Sequence, residues 1–148
     1  MLKKVLKDER GLSLVELLAV VVIMAIIAGI GAVAISNVIQ KNREDAGVAN
    51  VQTLLSAARL YEASPSEEGS ISKGQVTAQT LVDNNYLTQA TYLKEPGKVK
   101  FSMNNQAVIS VELPAGSLKA GGTDSQPKTI SEEEVSALNR DDLFKEKP

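Results

Sequence analysis

The chain has 148 residues and a net charge of −2, with 43% hydrophobic and 3% aromatic residues. It has no cysteine and no histidine, which excludes disulfides, thiolate metal sites, cysteine nucleophiles and triads that use histidine. The near-neutral charge does not indicate a basic nucleic-acid-binding surface, and we expect no cofactor, no metal and no enzymatic activity.

The N-terminal region joins a charged segment to the longest apolar run of the chain. Lys3, Lys4, Lys7 and Arg10 precede residues 17–35, a run of 19 residues without a charge. As a helix rising about 1.5 Å per residue, this run spans roughly 28 Å, close to the ~30 Å of bilayer hydrocarbon. The preceding positive charges predict a single-pass membrane protein with a cytoplasmic N-terminus.

Three interpretations of this region compete. A secretory signal peptide is supported by the small-x-small pattern Ala32-Val33-Ala34, but the apolar run is longer than usual and acidic residues flank it. A plain membrane anchor is the second. The third is a cut after Gly11 on the cytoplasmic side, with the apolar helix retained.

Glu16 distinguishes these interpretations, because a signal peptide or simple anchor has no use for a carboxylate at the start of its apolar helix. A cut after Gly11 creates an amino group at Leu12, one helical turn before Glu16 and on the same face. The two groups then neutralise each other within a chain or between chains. The alternative is an interfacial glutamate that reaches toward lipid headgroups.

The charged leader, Gly11 and the following Leu-Ser-Leu-Val-Glu-Leu-Leu sequence resemble the processing motif of type IV pilins and pseudopilins. The resemblance covers roughly the first 40 residues. It implies cleavage by a membrane aspartyl peptidase between Gly11 and Leu12, N-methylation of Leu12 and a role for Glu16 in subunit registry. Two residues depart from the usual pattern: Leu12 replaces phenylalanine, and Val33 occupies the region where many members have proline.

After the membrane segment, the pattern predicts that the helix continues through residues 36–63. Apolar residues recur near the helical period at Val48, Val51, Leu54 or Leu55, Ala58 and Tyr61. One face of this amphipathic continuation is therefore expected to pack on a small domain. The proline and turn residues after Ser64 predict its end.

Residues 64–113 are predicted to form a small globular head. Thr77 is expected to cap a short helix through Asn84. Residues 98–103 and 107–113 alternate between apolar and polar side chains on either side of Asn104-Asn105, which predicts a β-hairpin with positive φ at the asparagines.

Residues 114–148 are predicted to be a flexible tail. Their first part is rich in Gly, Ser, Lys and Thr and includes Gly121-Gly122, which is typical of a linker. A capping-box pattern at Ser131 and Glu134 then predicts a short amphipathic helix, disordered or docked on a neighbour.

These features predict an α+β fold, in which a long N-terminal helix with a transmembrane first half packs on a small antiparallel sheet. The domain organisation is a leader (1–11), a transmembrane and assembly helix (12–35), an amphipathic continuation (36–63), a head (64–113) and a tail (114–148). The resemblance implies a structural subunit that leaves the membrane and polymerises through this helix into a type IV pilus-like surface filament. Its expected partners are other copies or other pilins, a prepilin peptidase, the pilus assembly machinery and the membrane.

Alternatives remain open. The chain could be a competence pseudopilin for DNA uptake or a type II secretion pseudopilin, or a membrane-anchored binding module that never polymerises. Lys94, Lys98 and Lys100 could contact DNA phosphates, but three lysines without an aromatic platform are more typical of a solvated strand face.

Overall fold

The computed structural model describes residues 2–64, 69–120 and 123–144, with side chains described from Ser13 onward except that of Thr123. Helix α1 runs from Leu2 to Ala63. No proline interrupts this stretch, and Pro65 follows its end in the sequence. The predicted helix end at Ala63 is confirmed. The backbone of the described leader residues is helical as well, so α1 begins well before Leu12.

The chain divides into two compact units, Met1–Ile39 and Gln40–Pro148. The described part of the first unit consists of α1 alone. The second unit contains the rest of α1 together with residues 64–144 as far as they are described, which we call the head.

The head begins with a short strand and helix. Strand β1 (Val76–Thr77) leads directly into helix α2 (Ala78–Asp83). The Thr77 side chain accepts a hydrogen bond from the Thr80 N–H, which confirms the predicted N-cap. Tyr86 follows α2, and its ring meets that of Tyr61 edge-on at a centroid distance of 5.2 Å. This contact anchors the α2 region to α1.

A four-stranded antiparallel sheet follows. After a 3-10 turn at Pro96–Lys98 come β2 (Lys100–Met103) and β3 (Ile109–Leu113), which form the predicted hairpin. Strand β6 (Lys128–Ser131) pairs with β3 on its other side, so the strand order is β1-β2-β3-β6. Cross-strand partners include Phe101 with Val111 and Val111 with Ile130. The α+β fold class is therefore confirmed.

The turn of the hairpin differs from the prediction. Positive φ falls on Ala107 (φ 61°), and neither Asn104 nor Asn105 adopts it. The Asn104 side-chain oxygen instead accepts hydrogen bonds of 2.9 Å from the N–H groups of Gln106 and Val108. Asn104 thus stabilises the turn through its side chain, as asparagine commonly does in loops.

The expected flexible tail is corrected by the structure. Within the described part of residues 114–144 lie β4 (Lys119–Ala120), β5 (Thr123–Asp124), β6, a 3-10 turn at Val135–Ala137 and helix α3 (Arg140–Leu143). The physical reason is burial, because this segment supplies five residues to the hydrophobic core. They are Leu118, Ala120, Ile130, Leu143 and Phe144, with Ser125 as a buried polar residue. Gly121, Gly122 and residues 145–148, also assigned to the tail, lie outside the described residues.

The core lies between the sheet and the second half of α1. The predicted face of α1 is confirmed, since Val51, Leu54, Leu55, Ala58 and Tyr61 are each at most 2% exposed. Val48 is partly buried against the same cluster. From the head, the largest fully buried side chains facing this cluster are Leu81, Leu93, Phe101, Ile109, Leu113, Leu118, Ile130 and Leu143.

Candidate assembly site

The first unit presents its apolar side chains to the outside. From Leu14 to Ile39, the large hydrophobic residues of α1 are between 46% and 69% exposed. Among the described residues, one helix is long and apolar enough to cross a membrane, with a mean hydropathy of 3.0 over 18 residues and none of that window buried. This surface needs an apolar partner from outside the chain, either lipid or another protein.

The exposed apolar surface is longer than the sequence pattern indicated. The predicted membrane segment ended at residue 35, but Val38 and Ile39 are also 57% and 46% exposed. The polar pair Ser36-Asn37 concealed this continuation in the sequence. Gln40, the first residue of the second unit, donates through its amide nitrogen to the Ala120 carbonyl (2.7 Å) and to Glu44 Oε1 (2.9 Å). The head therefore makes contact with α1 where the exposed apolar surface ends.

Glu16 lies in the N-terminal part of this exposed surface. The adjacent side chains Val15 and Leu17 are 65% and 61% exposed, and Glu16 is itself exposed. It makes no hydrogen bond or ion pair with the side chains and backbone that the structure describes. A carboxylate surrounded by apolar side chains costs a few kcal/mol when it is buried in lipid or protein without a partner. Glu16 is therefore an exposed carboxylate on an otherwise apolar stretch of the helix.

Gly11 and Leu12 lie within α1, one turn before Glu16. Their side chains are outside the described set, so the structure places only their backbone. Over four residues a helix rises about 6 Å, which brings an amino group created at Leu12 within reach of a carboxylate on the same face. The three predicted site residues thus share one short stretch of a single helix.

The lysines considered for DNA contact lie just before β2 and at its first residue. Lys94 Nζ pairs with Asp124 Oδ1 at 2.7 Å, and Lys98 Nζ pairs with Glu95 Oε2 at 2.5 Å. Lys94 and Lys98 line an open cavity of about 540 Å³ together with both carboxylates. Lys100 is exposed on β2, beside Glu112 of β3. Because each lysine has a carboxylate as a close or cross-strand neighbour, this surface has little net positive charge.

The carboxylates of the described residues are not arranged for metal binding. In the described residues, no group of three or more aspartates and glutamates is close enough to bind a metal ion. The carboxylates of the head instead pair with lysine and arginine or cap short helical turns.

Comparison with known families bears on the N-terminal stretch. Residues 6–32 match the family model described as the prokaryotic N-terminal methylation motif. The chain carries the type IV pilin and pseudopilin signature. The match includes Gly11, Leu12 and Glu16, and it ends before the head begins. No curated protein and no solved structure matches the chain at a significant level.

The pilin signature gives the exposed helix a coherent explanation. It indicates a structural subunit of the type IV pilin or pseudopilin kind that is anchored in a membrane through its apolar helix. It also implies processing by a prepilin peptidase and assembly with other pilins. The head lies outside the matched residues.

Proposed function

We propose that this pilin-like chain is the subunit of a type IV pilus-like filament, and that its exposed helix passes from lipid into a bundle of identical helices. The observation that carries the proposal is the coincidence of the methylation motif with a 26-residue apolar surface, residues 14–39, that the chain itself leaves uncovered. While the subunit waits in the membrane, lipid covers this surface. The positive leader places the N-terminus in the cytoplasm and the head outside.

Processing is the first step of the proposal. A prepilin peptidase cuts between Gly11 and Leu12, which removes the charged leader, and the new N-terminus of Leu12 is methylated. The apolar helix then begins close to its own N-terminus, and the strongly charged residues Lys7, Asp8, Glu9 and Arg10 no longer have to enter an apolar bundle.

Assembly is the second step. Burying about 400 Å² of apolar surface per subunit contributes about 10 kcal/mol before the entropy cost of association. This contribution is large but does not discriminate between registers, because the side chains from Val20 to Ile27 are all apolar and nearly all aliphatic. Apolar contact alone therefore leaves the axial position of each subunit poorly defined.

Glu16 distinguishes the correct register of neighbouring helices from the others. Only one register brings its carboxylate to the Leu12 amino group of a neighbouring subunit, and other registers bury an unpaired charge. A contact between the helix start of one subunit and a different surface of the next is heterologous, so it repeats along an open helical fibre.

N-terminal mass spectrometry of the native protein tests the processing step. We expect a mature chain that begins with methylated Leu12. A chain that begins at Ile35 would identify a cleaved signal peptide, and an intact Met1 would identify a plain anchor. Either of these results would overturn the proposal.

The Glu16→Gln variant tests the assembly step. We expect normal processing but a loss of surface filaments of about tenfold or more, because the amide cannot neutralise the amino group of the neighbour. Glu44→Gln is the matched control, since Glu44 lies on the same helix beyond the apolar surface, and it should assemble at the wild-type level. Wild-type quantities of filament from Glu16→Gln would contradict the registry role.

A further inference from the structure

The glycines of α1 differ in what surrounds them. A Cβ atom added at Gly47 would lie 2.8 Å from Cζ and 2.9 Å from Cε2 of the Phe144 ring. At Gly29 and Gly31, an added Cβ would meet nothing within 4 Å. Real Cβ atoms essentially never lie as close as 2.8 Å to a neighbour, so Phe144 can occupy its position only while residue 47 lacks a side chain.

Phe144 belongs to a short segment that returns to α1 from the far end of the chain. Residues 139–144, which we call the strap, contain α3 and end with Leu143 and Phe144, which are 0% and 2% exposed. The Leu143 carbonyl accepts a 2.7 Å hydrogen bond from the Gln126 N–H, and Phe144 forms an isolated bridge with Ser125. The strap therefore closes the core against α1 at Gly47.

The polar contacts of the strap lie at the surface. Arg140 reaches Asp45 of α1 at 3.4 Å, and Lys128 of β6 reaches Asp142 at 3.4 Å. The side chains in these pairs are between 33% and 57% exposed, so each pair contributes little to stability. A four-residue helix is also too short to be stable without tertiary contacts. The burial of Leu143 and Phe144 is thus the main contribution that stabilises the closed strap.

The central strands are held differently. β2 and β3 pair over four consecutive residues, and β3 pairs with β6 over another four. Their inward residues Phe101, Ile109 and Val111 are fully buried. Segments with few hydrogen bonds and peripheral contacts open at a lower free energy than such a sheet.

We propose that residues 139–144 form a strap that locks the head onto α1 through the contact of Phe144 with Gly47, and that this strap opens independently of the sheet. When the strap is closed, the head is fixed on the half of α1 that it packs against. When it opens, Phe144 and the α1 surface around Gly47 and Val48 become accessible. The role of this lock in filament assembly rests on the function proposed above, whereas the lock itself does not.

Hydrogen exchange of the full chain in detergent micelles tests the lock. In Gly47→Ala, the added methyl group displaces the Phe144 ring, so we expect amides of Gln126, Asp142 and Phe144 to exchange about tenfold to a hundredfold faster. The amides of β2 and β3 should keep their wild-type protection. Gly31→Ala is the matched control, because it adds the same methyl group to the same helix where nothing is within 4 Å.

A second variant separates a specific contact from general damage. In Gly47→Ala with Phe144→Leu, the smaller side chain leaves room for the methyl group, so we expect most of the lost protection in the strap to return. Phe144→Leu alone should increase exchange in the strap by less than Gly47→Ala does. Such compensation is the signature of two residues in direct contact.

Three results would overturn the proposal. They are unchanged exchange in Gly47→Ala, equal loss of protection in the strap and in β2–β3, and no recovery in the double variant. These results are independent of whether wild-type filaments form. If filaments are absent but the exchange pattern is as expected, the strap stands and the proposed filament function fails. If both hold, Gly47→Ala should also yield fewer filaments than Gly47→Ala combined with Phe144→Leu.

Discussion

Leu18 and Leu54 are both leucines of helix α1, but the side chain of Leu18 is 64% exposed and that of Leu54 is 0% exposed. The difference runs through the whole of α1. Between Leu14 and Ile39 its large apolar side chains face outward, whereas Val51, Leu54, Leu55 and Tyr61 are covered by the head. The helix therefore has two kinds of partner, one outside the chain and one inside it.

The local chemistry of the helix does not account for this difference. The hydroxyl groups of Ser36, Thr53 and Ser56 each donate to the carbonyl four residues earlier, at 2.9, 3.0 and 2.9 Å. In both units, these hydroxyl groups therefore form their hydrogen bonds with the helix backbone. What distinguishes the units is the spacing of apolar residues. Large apolar residues occur on every face up to Ile39 and, apart from the exposed Leu60, on one face after Gln40.

The largest expected difference between the two units is in the effect of replacing one leucine in each. We expect Leu54→Ala to lower the free energy of unfolding of the head by about 2–5 kcal/mol, because it leaves a cavity in a fully buried cluster. Leu18→Ala should leave this free energy unchanged, since Leu18 belongs to the first unit and is 64% exposed. Chemical denaturation of the full chain in detergent, followed by tyrosine fluorescence, measures both. Equal effects of the two variants would show that the division into units is wrong.

The long helix and its inward face were predictable because their signals are local and repeated. Residues 17–35 form an unbroken apolar run, and Val51, Leu54, Ala58 and Tyr61 follow the helical period. The hairpin was predictable for the same reason, from strict alternation along β2 and β3. In each of these elements, many residues in a short window indicate the same structure.

The ordered tail was not predictable, because its signals are sparse and its partners are distant. Strands β4 and β5 have two residues each, too few to show alternation. Leu118 and Ile130 are separated by a stretch rich in Gly, Lys and Thr, which is typical of linkers. The burial of Phe144 depends on the space beside Gly47, which lies nearly a hundred residues earlier in the chain. The capping-box contact predicted at Ser131 and Glu134 forms, since the carboxylate accepts from the Ser131 N–H at 3.2 Å. The single amphipathic helix predicted after it does not, because a 3-10 turn at Val135–Ala137 and the separate helix α3 take its place.

For the candidate site, the sequence was more informative than the structure. Gly11, Leu12 and Glu16 were identified from the sequence motif alone, and the structure of one chain adds only that Glu16 is exposed on an apolar surface. Because the proposed partner of Glu16 belongs to another chain, the roles of these residues remain a prediction for experiments on the assembled protein.

A smaller effect concerns the charges around the strap. A hydrogen bond from the Asn139 backbone N–H, aided by the charge of Lys128, lowers the pKa of Asp142. A hydrogen bond from the Ser131 backbone N–H lowers the pKa of Glu134, with help from the Ser131 hydroxyl. Their stabilising contributions are therefore fully present above the ordinary carboxyl pKa of about 4 and are lost as the pH falls through the lowered folded values.

We therefore expect the strap to lose protection below about pH 4, before the sheet does. In Asp142→Asn, the amide does not titrate in this range, so the acid-induced increase in exchange at residues 140–144 should be weaker. Glu133→Gln is the control, because Glu133 is exposed and makes no ion pair with described residues. The first unit should show no change in helical protection over the same range. An identical acid response in the wild type and Asp142→Asn would refute the assignment to this cap.

The smallest expected effect concerns the hydroxyl group of Tyr92. The Tyr92 hydroxyl is buried and has no hydrogen-bond partner in the part of the chain that the structure describes, and burial raises the pKa of Tyr92. The Tyr61 hydroxyl, by contrast, donates to the Gly69 carbonyl at 3.0 Å. Tyr92→Phe should therefore leave the free energy of unfolding unchanged or raise it by up to about 1 kcal/mol, whereas Tyr61→Phe should lower it by about 1 kcal/mol. Denaturation of both variants in detergent measures the difference. If Tyr92→Phe is as destabilising as Tyr61→Phe, the Tyr92 hydroxyl has a bonding partner, and the head satisfies its buried polar groups more completely than its described contacts indicate.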